Sequence, residues 1–281
     1  MMNILENLER NYRNKPFLDH KRAVLSAPVR HIFMIATLGY LKSYKNDLPR
    51  ILEIGSWFGA STLSWAQGLE KYFDSKGSID CVDAWQPFFD IKNHENEDYV
   101  YEMEQLLEKD VVFKIFQHNI NTIKKFTDVQ FFRTLSDNFF EQNKGNLYDI
   151  IFIDADHTYN AVSKDIRNSI SMIEDGGIIC GDDLNLQLNE VDKKIANINK
   201  NKDFIQDPNT KKNYHPGVTI AVDEFFGKVN SWGGFWAIQK KSNTWHNISL
   251  KDIPIIYPQH FTKELLYKAE DHYNDIKDQI L

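Results

Sequence analysis

The stretch that most narrows the fold is Tyr148-Asp149-Ile150-Ile151-Phe152-Ile153. It is a near-continuous apolar run, interrupted only by Asp149, and it is short for a helix. A strand with apolar side chains on both faces is a strand buried on both faces, as in a parallel sheet covered by helices. Ile51 to Gly55, Ser78 to Asp83, Val129 to Phe132 and Ile178 to Cys180 also read as strands. Helical patterns lie among them at Val29 to Tyr44, Ser61 to Tyr72 and Tyr99 to Lys125. A further helix over 158–173 sets Val162, Ile166, Ile170 and Ile173 on one face. Asp175-Gly176-Gly177 is expected to end it before the fifth strand. Beyond a helix at Val218 to Phe226, two segments, 235–239 and 244–248, flank a short polar turn and read as a β-hairpin. This order predicts an α/β fold: a Rossmann-like doubly wound sheet with a C-terminal antiparallel hairpin. Ligands then bind at the C-terminal strand ends.

The first strand runs into Gly55-Ser56-Trp57-Phe58-Gly59-Ala60-Ser61-Thr62. A glycine turn between strand and helix leaves backbone N–H groups aimed at one spot. Gly55 permits positive φ, and Gly59 permits close approach of a ligand or a neighbouring element. The spacing is not the G-x-G-x-x-G of nicotinamide sites. Glu53, two residues before Gly55, would oppose a pyrophosphate and welcome a cation or a sugar hydroxyl. Asp83 ends the second strand, where nucleoside-binding folds place an acid on the ribose; its other reading is a turn or helix cap.

Asp154 ends the fourth strand, and Asp182 and Asp183 end the fifth. Three carboxylates in one pocket repel each other unless a cation holds them, and oxygen ligands suit magnesium, manganese or calcium. Taken singly, Asp156, Asp182 and Asp183 also read as caps. His157 stands at the mouth of the same pocket. It reads as a base acting near neutral pH, or as a helix-start residue or a further metal ligand.

The formal net charge of -7 argues against binding driven by nucleic-acid phosphates. No apolar run approaches the roughly 18 residues of a membrane span, and the first fifteen residues lack the apolar core of a signal peptide. Cys81 and Cys180 lie in or beside apolar runs and read as buried thiols. The expected setting is cytoplasmic.

Two segments exceed what the fold needs. Trp85 to Lys125 begins with aromatic residues, and Leu184 to Tyr214 is dense in Asn and Lys. Long loops of this kind are often lids. The second is expected to be too polar for a core, with a weak apolar stripe at Leu188, Val191, Ile195 and Ile198. The aromatic segment Trp85 to Phe89 and the second insertion are expected to wall an acceptor site from opposite sides. A terminal helix from about Thr262 carries an apolar stripe for the body or for a second copy of the chain.

E-x-G-x-x-x-G at Glu53 to Gly59 resembles motif I of the S-adenosylmethionine (SAM) dependent methyltransferases. The runs Phe152 to Tyr159 and Asp175 to Asp183, with His215-Pro216-Gly217-Val218 and Ala221 to Phe226, resemble the metal-dependent sugar O-methyltransferases of the macrocin and mycinamicin type. The resemblance implies a class I methyltransferase fold as a single domain with lid insertions. It implies Glu53, Gly55, Ser56, Gly59 and Ser61 at the methionine and ribose end of SAM, Asp83 on the ribose and Ser136 near the adenine. Asp154, Asp182 and Asp183 match the ligands of Mg2+ or Mn2+, with His157 and Asp154 catalytic. Asp182 departs from the Glu often found there, and the gap before His215 is longer than usual. The division expected is an N-terminal helical segment over 1–49, the methyltransferase domain over 50–250 with insertions 85–125 and 184–214, and a C-terminal helix over 251–281. The activity implied is methylation of a hydroxyl on a small-molecule acceptor, with a sugar or sugar nucleotide leading. A silent SAM-binding scaffold has no need of the acid and histidine set, and a nicotinamide oxidoreductase needs the glycine spacing that is missing.

Overall fold

Five parallel strands form the centre of the sheet, in the order β3 (Asp128–Arg133), β2 (Ser78–Asp83), β1 (Arg50–Ile54), β4 (Tyr148–Ile153) and β5 (Ile173–Gly181). The antiparallel strand β9 (Phe235–Lys241) pairs with β5. On its other side it carries β8 (Asn230–Trp232) beside its first half and β10 (Thr244–Asn247) beside its second. This computed structural model describes residues 4–18, 27–88 and 97–280. The strand order reverses between β1 and β4, which opens the crevice where ligands of such folds bind. All six residues of β4 are buried, as a strand covered on both faces must be.

Helices cover both faces. One side holds α2 (Arg30–Lys42), α3 (Ala60–Phe73), α5 (Val111–Asn121) and α10 (Lys263–Ile280), packed around Phe33, Trp65, Phe152 and Phe235. The other holds α6 (Ser136–Gln142), α7 (Tyr159–Met172) and α9 (Pro216–Phe226), around Ile151, Ile166, Val218 and Trp236. Each fully buried Ile or Phe in these layers contributes roughly 1.5–3 kcal/mol of transfer free energy. Two further helices, α1 (Ile4–Asn11) and α4 (Glu97–Glu108), lie beside α5. The apolar stripe of α10 packs on the body, with Leu265 and Ala269 buried.

Three local expectations change. The sequence Asp175-Gly176-Gly177 does not precede the fifth strand. Helix α7 ends at Met172, and the glycines lie inside β5, where Tyr148 faces Ile173 and Ile150 faces Ile178. The extra residues form an irregular bulge that glycine accommodates. The insertion after Asp183 is not coreless. It folds into α8 (Lys193–Ile198) and a two-stranded ribbon of β6 (Ile205–Gln206) and β7 (Asn213–Tyr214). Leu186, Val191, Ala196 and Tyr214 close a small core against Ile220 of α9. Of the segment expected to wall an acceptor site, Trp85 turns into the core and Phe88 is exposed. The Trp85 ring is buried against Phe113, Phe116 and Phe131. The segment 89–96, which includes Phe89, lies outside the described residues.

Candidate active site at the strand ends

The turn after β1 is held by carboxylates. Gly55 has φ +87°, and a Cβ there would stand 1.9 Å from the carbonyl oxygen of Asp154. Only glycine lets the turn cross the end of β4 so closely. Gly59, at φ +84°, precedes α3 and faces Phe116, so the close neighbour there is α5. Glu53 is fully buried, and the hydroxyls of Ser56 and Thr62 donate to its Oε2. Burial raises its pKa, while those hydroxyls and Ser61 oppose the rise. Glu53, Ser56 and Ser61 thus brace one another, and Glu53 Oε1 makes no hydrogen bond.

The Asp83 carboxylate reaches across from β2. Its Oδ2 accepts from the backbone N–H of Ser56 at 3.0 Å and of Trp57 at 2.9 Å. Its Oδ1 accepts from Trp85 N–H at 2.7 Å. The Trp85 indole donates to Trp57 O at 2.8 Å. A carboxylate offers about four acceptor positions, and Asp83, half-buried, retains capacity for a ribose hydroxyl. Ser136 starts α6, half-buried, with its hydroxyl on Asp165. Trp57, Trp85 and Asp183 have φ of 46°, 43° and 63°. Non-glycine residues at positive φ are uncommon, and these three follow the ends of β1, β2 and β5.

The acid cluster forms as the strand ends dictate. Single carboxylate oxygens of Asp154, Asp182 and Asp183 lie within 4.8 Å of one another. Buried Asp182 is pushed up to about 7 by burial and by the charges of Asp183 and Asp154, and its Oδ2 lacks a hydrogen-bond partner. Those features fit a cation. One resident cation is Arg30 of α2, buried, whose Nη1 reaches Asp182 Oδ1 at 2.7 Å and Asp183 Oδ1 at 2.6 Å. Its Nε donates to Gly233 O at 2.6 Å. Two further contacts are local: Asp183 N–H donates to Asp182 Oδ1 and Thr158 N–H to Asp156 Oδ1, while α7 itself has no side-chain cap.

His157 joins the cluster from the start of α7. Its Nε2 is 2.9 Å from Asp183 Oδ2 and 3.9 Å from Asp154 Oδ1, and its Nδ1 is 2.7 Å from Asp203 Oδ1. Burial works against its charge, yet Asp183, Asp154 and Asp203 raise its pKa well above the usual value. Conversely, burial opposes ionisation of Asp183, but Arg30, His157 and His215 hold its carboxyl well below the ordinary range. His215 lies 4.5 Å from His157, centroid to centroid. Gly217 brings it there, since a Cβ at 217 would meet His157 O at 2.3 Å.

Arg30, Asp203 and His215 are the site groups that sequence reasoning missed. A lone arginine opening an otherwise apolar buried helix was the available signal for the first. A cavity of about 230 Å³ opens beside the cluster, lined by Arg30, Asp183, Asn185, Phe204, Asn213 and His215 among others.

A family profile described as a methyltransferase domain matches residues 52–184, just under half of the chain. That segment is similar to a methyltransferase domain, and the sheet around it is Rossmann-like with antiparallel strands at one edge. No curated protein matches the chain significantly. Among solved structures, the O-methyltransferase NovP is 15% identical, with a TM-score of 0.47, over 75% of this chain and 80% of that one. A putative O-methyltransferase from Klebsiella pneumoniae is 18% identical, with a TM-score of 0.44, over 85% and 90%. Cofactor-bound Rv0187 from MTB is 21% identical, with a TM-score of 0.36; the alignment covers 58% of this chain and 58% of that one. Likenesses this distant leave the weight on the family match and the topology. Among the described residues, no helix is long and apolar enough to cross a membrane.

Proposed function

We propose that the protein is a SAM-dependent O-methyltransferase that modifies a hydroxyl of a small polar acceptor, a sugar unit first among them. The observation that carries this reading is the cavity beside the acid cluster. At about 230 Å³ it is smaller than the roughly 300–1,000 Å³ of drug-sized sites. The Asn213 amide offers a donor and an acceptor for hydroxyls, Asn185 is held against Asp183 O and Arg30, and Phe204 offers a flat face.

SAM supplies a methyl group on a sulfonium, which needs no phosphate cradle. Asp83 holds the ribose, Ser136 stands near the adenine, and the turn at 55–59 faces the methionine end. The acceptor oxygen forms the new bond to the methyl carbon. The carbon–sulfur bond breaks, its electron pair stays on sulfur, and the hydroxyl proton passes to the cluster. Asp154 and His157 are the candidates to take it. A divalent ion at Asp154, Asp182 and Asp183, Mg2+ or Mn2+, would supply Lewis acidity that makes the hydroxyl a stronger acid. Arg30 keeps Asp182 and Asp183 in place with or without one.

Calorimetry with SAM and with S-adenosylhomocysteine tests the reading. Binding of both is the expected outcome, and the absence of heat with either ligand would remove it.

A further inference from the structure

Both site histidines are anchored by one residue. His157 Nδ1 lies 2.7 Å from Asp203 Oδ1, and His215 Nδ1 lies 2.8 Å from the Asp203 carbonyl oxygen. An imidazole that donates Nδ1–H to a carboxylate or a carbonyl is fixed in the tautomer that presents Nε2 as a ligand. Both Nε2 atoms turn to Asp183: His157 at 2.9 Å from Oδ2, His215 at 3.5 Å from Oδ1. Ligand atoms of His157, His215 and Asp183 lie within 4.8 Å of one another. Arg30 Nη1 bonds Oδ1 of both Asp182 and Asp183. It opposes a divalent ion on that side and leaves Asp183 Oδ2 to the histidine side.

We infer that His157 Nε2, His215 Nε2 and Asp183 form a centre for a borderline first-row ion, such as Fe2+, Co2+ or Zn2+, oriented by Asp203. Two imidazoles and one carboxylate suit these ions, whereas magnesium prefers oxygen alone. Three protein ligands leave positions open, as catalytic sites require. Asp183 and His215 line the acceptor cavity, which gives the ion an entry and puts its open positions beside the acceptor. The inference rests on the proposal that the cluster binds a cation, and it moves that ion from the three carboxylates to the histidine side of Asp183. His157 then gives its lone pair to the ion, and Asp154 remains to take the proton. The insertion, through Asp203, is part of the centre rather than only a cover.

The test uses the full chain, free of any histidine tag, and the metal alone. Co2+ titration is followed by visible absorption, and Mn2+ loading by pulsed electron spin resonance for nitrogen coupling. The expected result is one Co2+ per chain, nitrogen coupled to Mn2+, and no displacement by millimolar Mg2+. Asp203→Asn should weaken Co2+ about 10–100-fold, and His215→Ala at least tenfold with loss of one nitrogen coupling. Circular dichroism checks each variant. If His215→Ala is misfolded, His215→Gln and Asp203→Asn carry the decision. Equal binding of Mg2+, with His215→Ala and Asp203→Asn both neutral, would put the ion on the carboxylates and overturn the inference without touching methyl transfer. Failure of all divalent ions to bind would overturn it together with ion assistance. SAM calorimetry reports the methyltransferase reading independently of either result.

Discussion

Asp83 shows how one side chain can serve two tasks. Its carboxylate satisfies three backbone N–H groups of the turns after β1 and β2, and it is the ribose candidate. Leaving a buried N–H unsatisfied costs about 1–3 kcal/mol. Asp83→Ala should therefore lower both the melting temperature and SAM affinity, the latter by more than about tenfold. A SAM affinity that survives while stability falls would make Asp83 a brace alone. Gly217 gives a cleaner separation. Gly217→Ala drives a Cβ into the backbone at His157, and overpacking of this kind costs roughly 1–3 kcal/mol. Because the clash pushes α9 off α7, Co2+ binding should weaken in this variant while SAM affinity stays within a few-fold. Equal loss of both would mean that the two halves of the site move as one.

The insertion between β5 and α9 contributes to the site through Asn185, Asp203 and Asn213 and rests on its own small core. Replacing residues 186–212 with a short Gly/Ser linker should leave SAM binding nearly unchanged. It should abolish acceptor binding, measured as loss of cavity-directed ligand heat in a monosaccharide screen on both proteins. An unaltered screen would assign the insertion another task. At this scale the sequence was legible where periodicity and position coincide. The parallel strands, the hairpin and the acids at strand ends all follow from apolar runs that stop at a polar residue. What stayed hidden depends on distance along the chain. Arg30 looks like the first residue of an apolar helix, and its partner Asp183 lies 153 residues away. Asp203 is one of many polar residues in an Asn- and Lys-rich stretch, and nothing local marks it as the anchor of two imidazoles. The bulge in β5 was missed because Gly-Gly ordinarily ends a helix rather than interrupting a strand.

The molecule as a whole should be sensitive to acid through a second pair of histidines, one of which follows Arg30 in α2. His31 Nδ1 lies 2.8 Å from Ser64 Oγ, which is also 3.3 Å from His260 Nε2. Burial, with repulsion from His260 and Arg30, pushes His31 well below its usual value. Burial pushes His260 down to about 3. The folded state keeps both neutral, while the unfolded chain takes up protons below about pH 6.5. Stability is thus full above that pH and declines as the pH falls toward 3. His260→Gln should flatten the dependence of unfolding free energy on pH between 6.5 and 4, by up to about 1.4 kcal/mol per pH unit. A denaturant series across that range checks it, and an unchanged slope would place the acid sensitivity elsewhere. Arg30 has a consequence of a different kind, in time. Its guanidinium emerges from the ribosome long before Asp182 and Asp183 exist. At about 5–20 residues per second, the 153 residues to Asp183 take roughly 8–30 s to make. Until then α2 carries a charge that cannot be buried, so the nascent chain must hold this helix off the sheet and seat it only after β5 has been synthesised.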